Sequence, residues 1–338
     1  MFASAPTNRH ETILHAPPDP SSKGWDWLSR RITRDESSSS RSAVSIRKRQ
    51  LRFDARDGLR LAASIFEPER LGDARATILV TSATGVKRHF YDSFATFLAE
   101  NGLVVMSFDY RGIGDSLPGT LRDFRGDIRD WGALDLVGAV AMLRSSYPML
   151  PLLVVAHSVG GQILGFAQNS DQISGLLCVC AQHGHWGNWP LRHGLFFAGL
   201  CYFAMPALSH LVGYFPAHAM RLGDDIPKGI ALGWARWARD ATYLDDVPFA
   251  PHDIPGRSYS FADDILAPEK ACDSLCVAYP GVNWERCHMH PQTFEVSKVG
   301  HFGFFRDRFK ESLWAQSLCW LIATASRAEV APIALSRP

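Results

Sequence analysis

Continuous apolar runs of strand length alternate with amphipathic stretches along most of the chain. The runs are Ala76-Thr77-Ile78-Leu79-Val80-Thr81, Leu103-Val104-Val105-Met106-Ser107-Phe108, Leu152-Leu153-Val154-Val155 and Gly175-Leu176-Leu177-Cys178-Val179-Cys180. Runs of this kind, apolar at every position rather than every second one, mark strands buried on both faces. Upstream, 49–53 and 61–66 flank Asp57-Gly58, which predicts a β-hairpin. Helices are predicted over about 91–101, ending at Gly102, and over about 131–144. Residues 257–262 and 293–296 predict two further strands, and 310–323 a closing amphipathic helix. Buried strands in alternation with helices predict the α/β class, with a mainly parallel central sheet flanked by helices. No internal repeat is visible.

The rhythm breaks over 182–243. That segment is dense in aromatics, among them Trp186, Trp189, Phe196, Phe197, Tyr202, Phe203, Trp234 and Trp237, and is punctuated by Pro206, Pro216 and Pro227. It is too long for an ordinary loop and reads as an inserted helical lid, dividing a core into 46–181 and 244–338. Most of its aromatics should form the lid's own core. Trp186, Trp189, Trp234 and Trp237 are the candidates to line a pocket for a bulky, largely apolar substrate. Residues 1–45 are rich in Pro, Ser, Arg and Asp, with too few apolar side chains to offset the cost of ordering, and read as a flexible tail. Trp25, Trp27 and Leu28 are the tail's only docking candidates.

Composition narrows the function classes. The 338 residues are 46% hydrophobic and 20% charged with a net charge of +1, values of a soluble globular protein without the basic field that nucleic acid requires. An odd count of seven cysteines, with no paired C-x-x-C set, signals neither a disulfide framework nor a zinc site. Reduced thiols and a cytoplasmic location are the expectation. The start of the chain lacks a basic segment followed by an apolar one, so no secretory signal is read there. The longest apolar stretch, 194–211, is short for a membrane span and carries Pro206 and His210, so a lid helix is expected rather than a stable span.

The third strand run ends in Ala156-His157-Ser158-Val159-Gly160-Gly161, with one serine at the apex of a turn built from small residues. A serine hydroxyl is a poor nucleophile at neutral pH. It needs a base to take its proton, and that base needs a partner to fix its tautomer. Acids and a histidine follow later strands: Asp263 and Asp264 after 257–262, and His301 after 293–296. Strand ends at one edge are where open α/β sheets gather their sites. His157, His183, His185, His288 and His290 compete with His301 for the base. His157 adjoins the serine, but its side chain should leave the turn in another direction. His288 and His290 alternate as a strand would, with no carboxylate motif to complete a metal site.

These residues together resemble the α/β-hydrolase superfamily over about 46–325, whose nucleophile elbow reads G-x-S-x-G and whose chain order is Ser, acid, His. Here Ala156 stands for the first glycine. The resemblance implies Ser158 as nucleophile and His301 as base. It also implies Asp264 rather than Asp263 as acid, because the acid loop commonly reads Asp-x-x-x-Pro and ends here at Pro268. It further implies an oxyanion hole from the N–H groups of Val159 and Thr84, with Ala83 and Gly85 as alternatives to Thr84. The His-Gly pair usual in that loop is replaced by Ser82-Ala83. Asp109-Tyr110-Arg111-Gly112-Ile113-Gly114-Asp115-Ser116 resembles the segment after the superfamily's second parallel strand. Four further marks resemble serine-aminopeptidase-like lipases and esterases, and within them the EstX and Estt type found with mobile resistance genes. They are Gly213-Tyr214-Phe215-Pro216, the run 227–237, Asp263-Asp264 to Pro268, and Gly300-His301-Phe302-Gly303-Phe304-Phe305. That branch implies opening of a macrolide lactone. The expected partner is a small-molecule ester, with no cofactor or metal. The same triad also serves acyl transfer, and the fold also carries binding proteins.

Overall fold

The computed structural model describes residues 45–328, apart from 221, 222, 246, 248 and 250–252. The tail expected over 1–45, with Trp25, Trp27 and Leu28, lies outside the described residues except for Ser45. Eight strands form one sheet: β1 (Ile46–Asp54), β2 (Arg60–Pro68), β3 (Thr77–Thr81), β4 (Val104–Phe108), β5 (Leu152–His157), β6 (Gly175–Val179), β9 (Ile254–Phe261) and β10 (Val282–Met289). Their order is β1-β2-β4-β3-β5-β6-β9-β10. The hairpin β1–β2 and the β2–β4 pairing are antiparallel; every other pairing in this sheet is parallel. The remaining strands, β7 (Tyr214–Phe215) and β8 (Ile226–Pro227), form a two-residue ribbon in the lid.

Every residue of β3, β4, β5 and β6 is buried. Alternate side chains feed two cores, one on each face. Leu79, Met106, Val154 and Leu176 face α2 (128–146) and the lid, whereas Ile78, Val105, Leu153 and Leu177 face α1 (Asp92–Glu100) and α8 (310–328). The remaining helices are α3 (Val159–Ile163), α4 (Leu191–Val212), α5 (Lys228–Arg239), α6 (Glu269–Ala278) and α7 (Gly300–Gly303).

The expectations differ from the structure in two places. The strand predicted over 293–296 is a 3₁₀ turn at Pro291–Phe294, and the edge strand is β10 instead. The stretch 194–211, read as short, belongs to a helix of 22 residues, long and apolar enough by length and composition to cross a membrane. Pro206 sits at the second residue of a helical segment that continues from a π turn, where its ring removes little hydrogen bonding.

Candidate active site

β5 delivers Ser158 to the carboxyl edge of the sheet. The chain then turns directly into α3, and Ser158 takes φ 54° and ψ −121°. A side chain rarely adopts this region, which costs about 1–3 kcal/mol and persists only where surroundings impose it. The small residues around it follow from crowding. A Cβ on Gly160 would sit 2.5 Å from the Thr81 carbonyl oxygen, and one on Gly161 would sit 2.6 Å from Ala181 Cβ. Ala156 pairs in register with Thr81 of β3 and is fully buried, so a methyl group fits where a glycine is usual.

Asp264 and His301 meet at the same edge. Asp264 Oδ2 lies 2.8 Å from His301 Nδ1, and Oδ1 accepts the N–H groups of Leu266 at 2.8 Å and Ala267 at 3.1 Å. Both residues are buried. Burial alone would push the Asp264 carboxyl up, but the charge and hydrogen bond of His301, with further donors around it, leave it below the ordinary carboxylate range. Asp263 does different work. Its two oxygens accept the N–H groups of Val299 at 2.9 Å and Gly300 at 3.1 Å, fixing the turn that presents His301. Cys180, Asp264 and His301 have potential ligand atoms within 4.8 Å of one another, a grouping that the acid–imidazole hydrogen bond accounts for.

Ser158 Oγ is 3.5 Å from Gln182 Oε1, and among the described residues no hydrogen bond joins it to the His301 ring. Such contacts commonly tighten only when substrate is bound. Gln182 is buried beyond the end of β6 and has no place in the sequence-derived site. Its only sequence signal is a polar side chain just past a strand end.

His157 also has a role that spacing did not reveal. Its Nε2 lies 2.9 Å from the His301 carbonyl oxygen. A carbonyl only accepts, so Nε2 carries the proton and Nδ1 must accept. The partner at Nδ1 is the Tyr91 hydroxyl at 2.8 Å, whose oxygen in turn accepts the Ala83 N–H at 2.9 Å. One chain of hydrogen bonds therefore runs from the 82–85 loop, past the elbow, to the backbone of His301. Burial, with the His301 ring beside it, lowers the His157 pKa to about 3, so the ring is neutral.

This chain separates the oxyanion candidates. The Ala83 N–H is occupied by Tyr91, whereas among the described residues no acceptor is recorded for the N–H groups of Thr84, Gly85 or Val159. Asp224, in the lid segment, pins the 82–85 loop: its N–H donates to the Gly85 carbonyl at 3.1 Å, and its carboxylate pairs with Lys87 at 2.9 Å.

A cavity of about 840 Å³ opens on the far side of the loop, lined by Val86, Phe90, His218 and Ala219 among others. Ser158 is not part of its lining and is 6% exposed. None of the four tryptophans expected at a pocket lines this cavity or the second one, of about 570 Å³, near His183 and His185. Trp237 is buried and stacked between Phe166 and Tyr243, and Trp189 stacks on Phe197, which also meets Trp234 edge-on. Trp186 packs at the start of α4, near Gly194 and His185. Trp189 and Trp237 are buried in these contacts, whereas Trp186 and Trp234 are partly exposed. His288 accepts or donates at Ser260 Oγ, 2.9 Å away, and joins no metal-like group among the described residues. All seven cysteines are free.

Residues 72–216 match the family described as serine aminopeptidase, S33. The chain is 27% identical over 135 residues to a quorum-quenching protein of Acinetobacter baumannii, a stretch covering 38% of this chain and 42% of that protein. It is 28% identical over 127 residues to monoglyceride lipase of Rattus norvegicus, covering 36% of this chain and 40% of the lipase. The matches thus span about two fifths of each curated relative. Among solved structures, a soluble variant of monoglyceride lipase from Saccharomyces cerevisiae superposes with a TM-score of 0.59 at 17% identity, over 85% of this chain and 98% of that one. Sheet order, elbow and these likenesses agree, and the chain has the α/β-hydrolase fold.

Proposed function

We propose that the protein is a serine carboxylic ester hydrolase acting on bulky, largely apolar esters, with macrolide lactones as the candidate class. The observation that carries the reading is the conjunction of a positive-φ serine at the elbow with the 2.8 Å Asp264–His301 pair at the same sheet edge. In this reading the Ser158 hydroxyl turns from Gln182 to His301 Nε2, gives up its proton and attacks the ester carbonyl. The N–H groups of Val159 and Thr84 hold the resulting oxyanion. His301 then protonates the departing alcohol, leaving an acyl-serine, and deprotonates a water that releases the acid. Asp264 holds the imidazole by Nδ1 throughout and stabilises its cation. Ester and water become acid and alcohol, and the chemistry asks for no cofactor.

The preference for a bulky, apolar substrate rests on the aromatic density of the segment 182–243. Its ester nature is supported by likeness to a monoglyceride lipase. The macrolactone class rests on the resemblance to the EstX and Estt type. A fluorophosphonate probe followed by peptide mass spectrometry tests the nucleophile. Label at Ser158 is expected, and its absence overturns the reading. A panel of acyl esters, aminoacyl amides and macrolides tests the substrate. Opening of a macrolactone adds the mass of one water, and hydrolysis confined to the amides would contradict the ester assignment.

A further inference from the structure

The outer face of α4 is a stripe of bare apolar side chains. Phe196, Phe203 and Leu211 are 76%, 75% and 83% exposed, and Leu191 and Leu195 stand beside them. Their spacing places them on one side of the helix, opposite Gly194, Cys201, Met205 and Ser209, which are buried against the body. The stripe continues onto the acid loop. Trp189, just before α4, donates from Nε1 to the Ile265 carbonyl at 2.9 Å, and Ile265 and Leu266, directly after Asp264, are themselves exposed. A contiguous surface of this kind needs an occupant.

Charge says which. No Asp or Glu occurs between Asp171 and Asp224, so α4 itself carries no acidic side chain. Cations stand around the stripe: Arg192 is exposed at its start, Arg239 lies over the Tyr202 ring, and Arg122 packs at Gly213 where the helix ends. Apolar side chains projecting from a helix that carries no acid of its own, and bordered by arginines, suit an anionic lipid surface. The aromatics enter the acyl boundary and the guanidinium groups meet the headgroups. The helix is apolar enough to cross a bilayer, but one side of it is seated in the protein core. It therefore fits lying in the plane of the surface, along about 33 Å of its length. We propose that α4 docks the protein on anionic lipid surfaces, with the acid loop and lid facing the lipid.

The test uses the full chain carrying Ser158→Ala, so that binding is read without turnover and independently of the esterase assignment. The protein is sedimented with vesicles of phosphatidylcholine alone and of phosphatidylcholine mixed with phosphatidylglycerol. Binding to the mixed vesicles is expected, weaker binding to the neutral ones, and an at least about tenfold loss when Phe196→Ser and Phe203→Ser are added. In the Ser158 background the same two changes should leave turnover of a short soluble ester unchanged, which shows that the fold survives. Protein remaining in the supernatant with both vesicles overturns the proposal. So does vesicle binding that the two changes do not alter. So does a dimer in sedimentation velocity that they dissolve without any vesicle binding, which would assign the stripe to a second copy of the chain.

Discussion

Tyr91 and His157 show how much of the site is support rather than chemistry. Neither touches a reacting atom in the proposed mechanism, yet together they tie the Ala83 N–H to the carbonyl of His301 through three hydrogen bonds of 2.8–2.9 Å. Tyr91→Phe removes the hydroxyl and leaves the Ala83 N–H and His157 Nδ1 without a partner in a dry interior. The expected cost is about 1–3 kcal/mol of stability, with a fall in kcat larger than any rise in KM, because the loop beside the oxyanion moves. Denaturant titration and steady-state kinetics on a soluble ester check both halves. A variant as stable and active as the parent would show that the chain of bonds is incidental. Sequence reading singled out Ser158 and Asp264 because each follows the end of a strand, β5 and β9, whereas His301, expected after a strand over 293–296 that is a 3₁₀ turn, was singled out by the resemblance carried by Gly300-His301. It missed Tyr91, Gln182 and the anchoring role of Asp263, because each works through a partner distant in the chain, such as Val299 for Asp263.

At the level of elements, two glycines in helices make opposite predictions. A Cβ on Gly160 would meet the Thr81 carbonyl at 2.5 Å and Thr81 Oγ1 at 2.6 Å, so α3 would be forced from the strand that carries the 82–85 loop. Gly199, on the lid helix, has nothing within 4 Å of its Cβ position. Gly160→Ala should therefore lower both Tm and kcat sharply. Gly199→Ala should raise stability by up to about 1 kcal/mol through helix propensity alone. Calorimetry on the two variants separates packing from propensity, and equal shifts would contradict the crowding account. The same physics decides what the sequence revealed. β3 to β6 are buried on both faces and read as unbroken apolar runs. β10 lies at the sheet edge with exposed and partly exposed side chains along it, so Val282–Met289 offers no apolar run, only the strand-like alternation of His288 and His290, and the apolar residues of a 3₁₀ turn looked like a strand. The lid was visible as a break in rhythm, but which of its aromatics face a cavity depends on helix packing that no local pattern encodes.

Across the whole molecule, buried neutral histidines set the response to acid. His157 and His183 have pKa values lowered by burial to about 3 and about 4, from 6.5. At pH 7 both are neutral whether folded or unfolded, so their contribution to stability is intact. Below about 6.5 the unfolded chain takes up protons that the native state refuses. Each group then removes up to about 1.4 kcal/mol per pH unit until its native pKa is reached. Unfolding free energy should fall steadily from pH 6.5 toward pH 4, and His157→Asn should flatten that slope while lowering stability at pH 7. Urea titrations at a series of pH values measure this; a flat profile over the window would mean that His157 is not held neutral.

The account as a whole rests on Ser158, held in a strained turn between β5 and α3 and backed by Asp264 and His301. Its most direct test is turnover of a short p-nitrophenyl ester by the wild-type chain and by Ser158→Ala, with folding of both checked by circular dichroism. Ester cleavage by the wild type and a loss of about a millionfold in kcat in the variant are predicted, since in the proposed mechanism Asp264 and His301 cannot act without Ser158. Equal rates from the two proteins would contradict the mechanism.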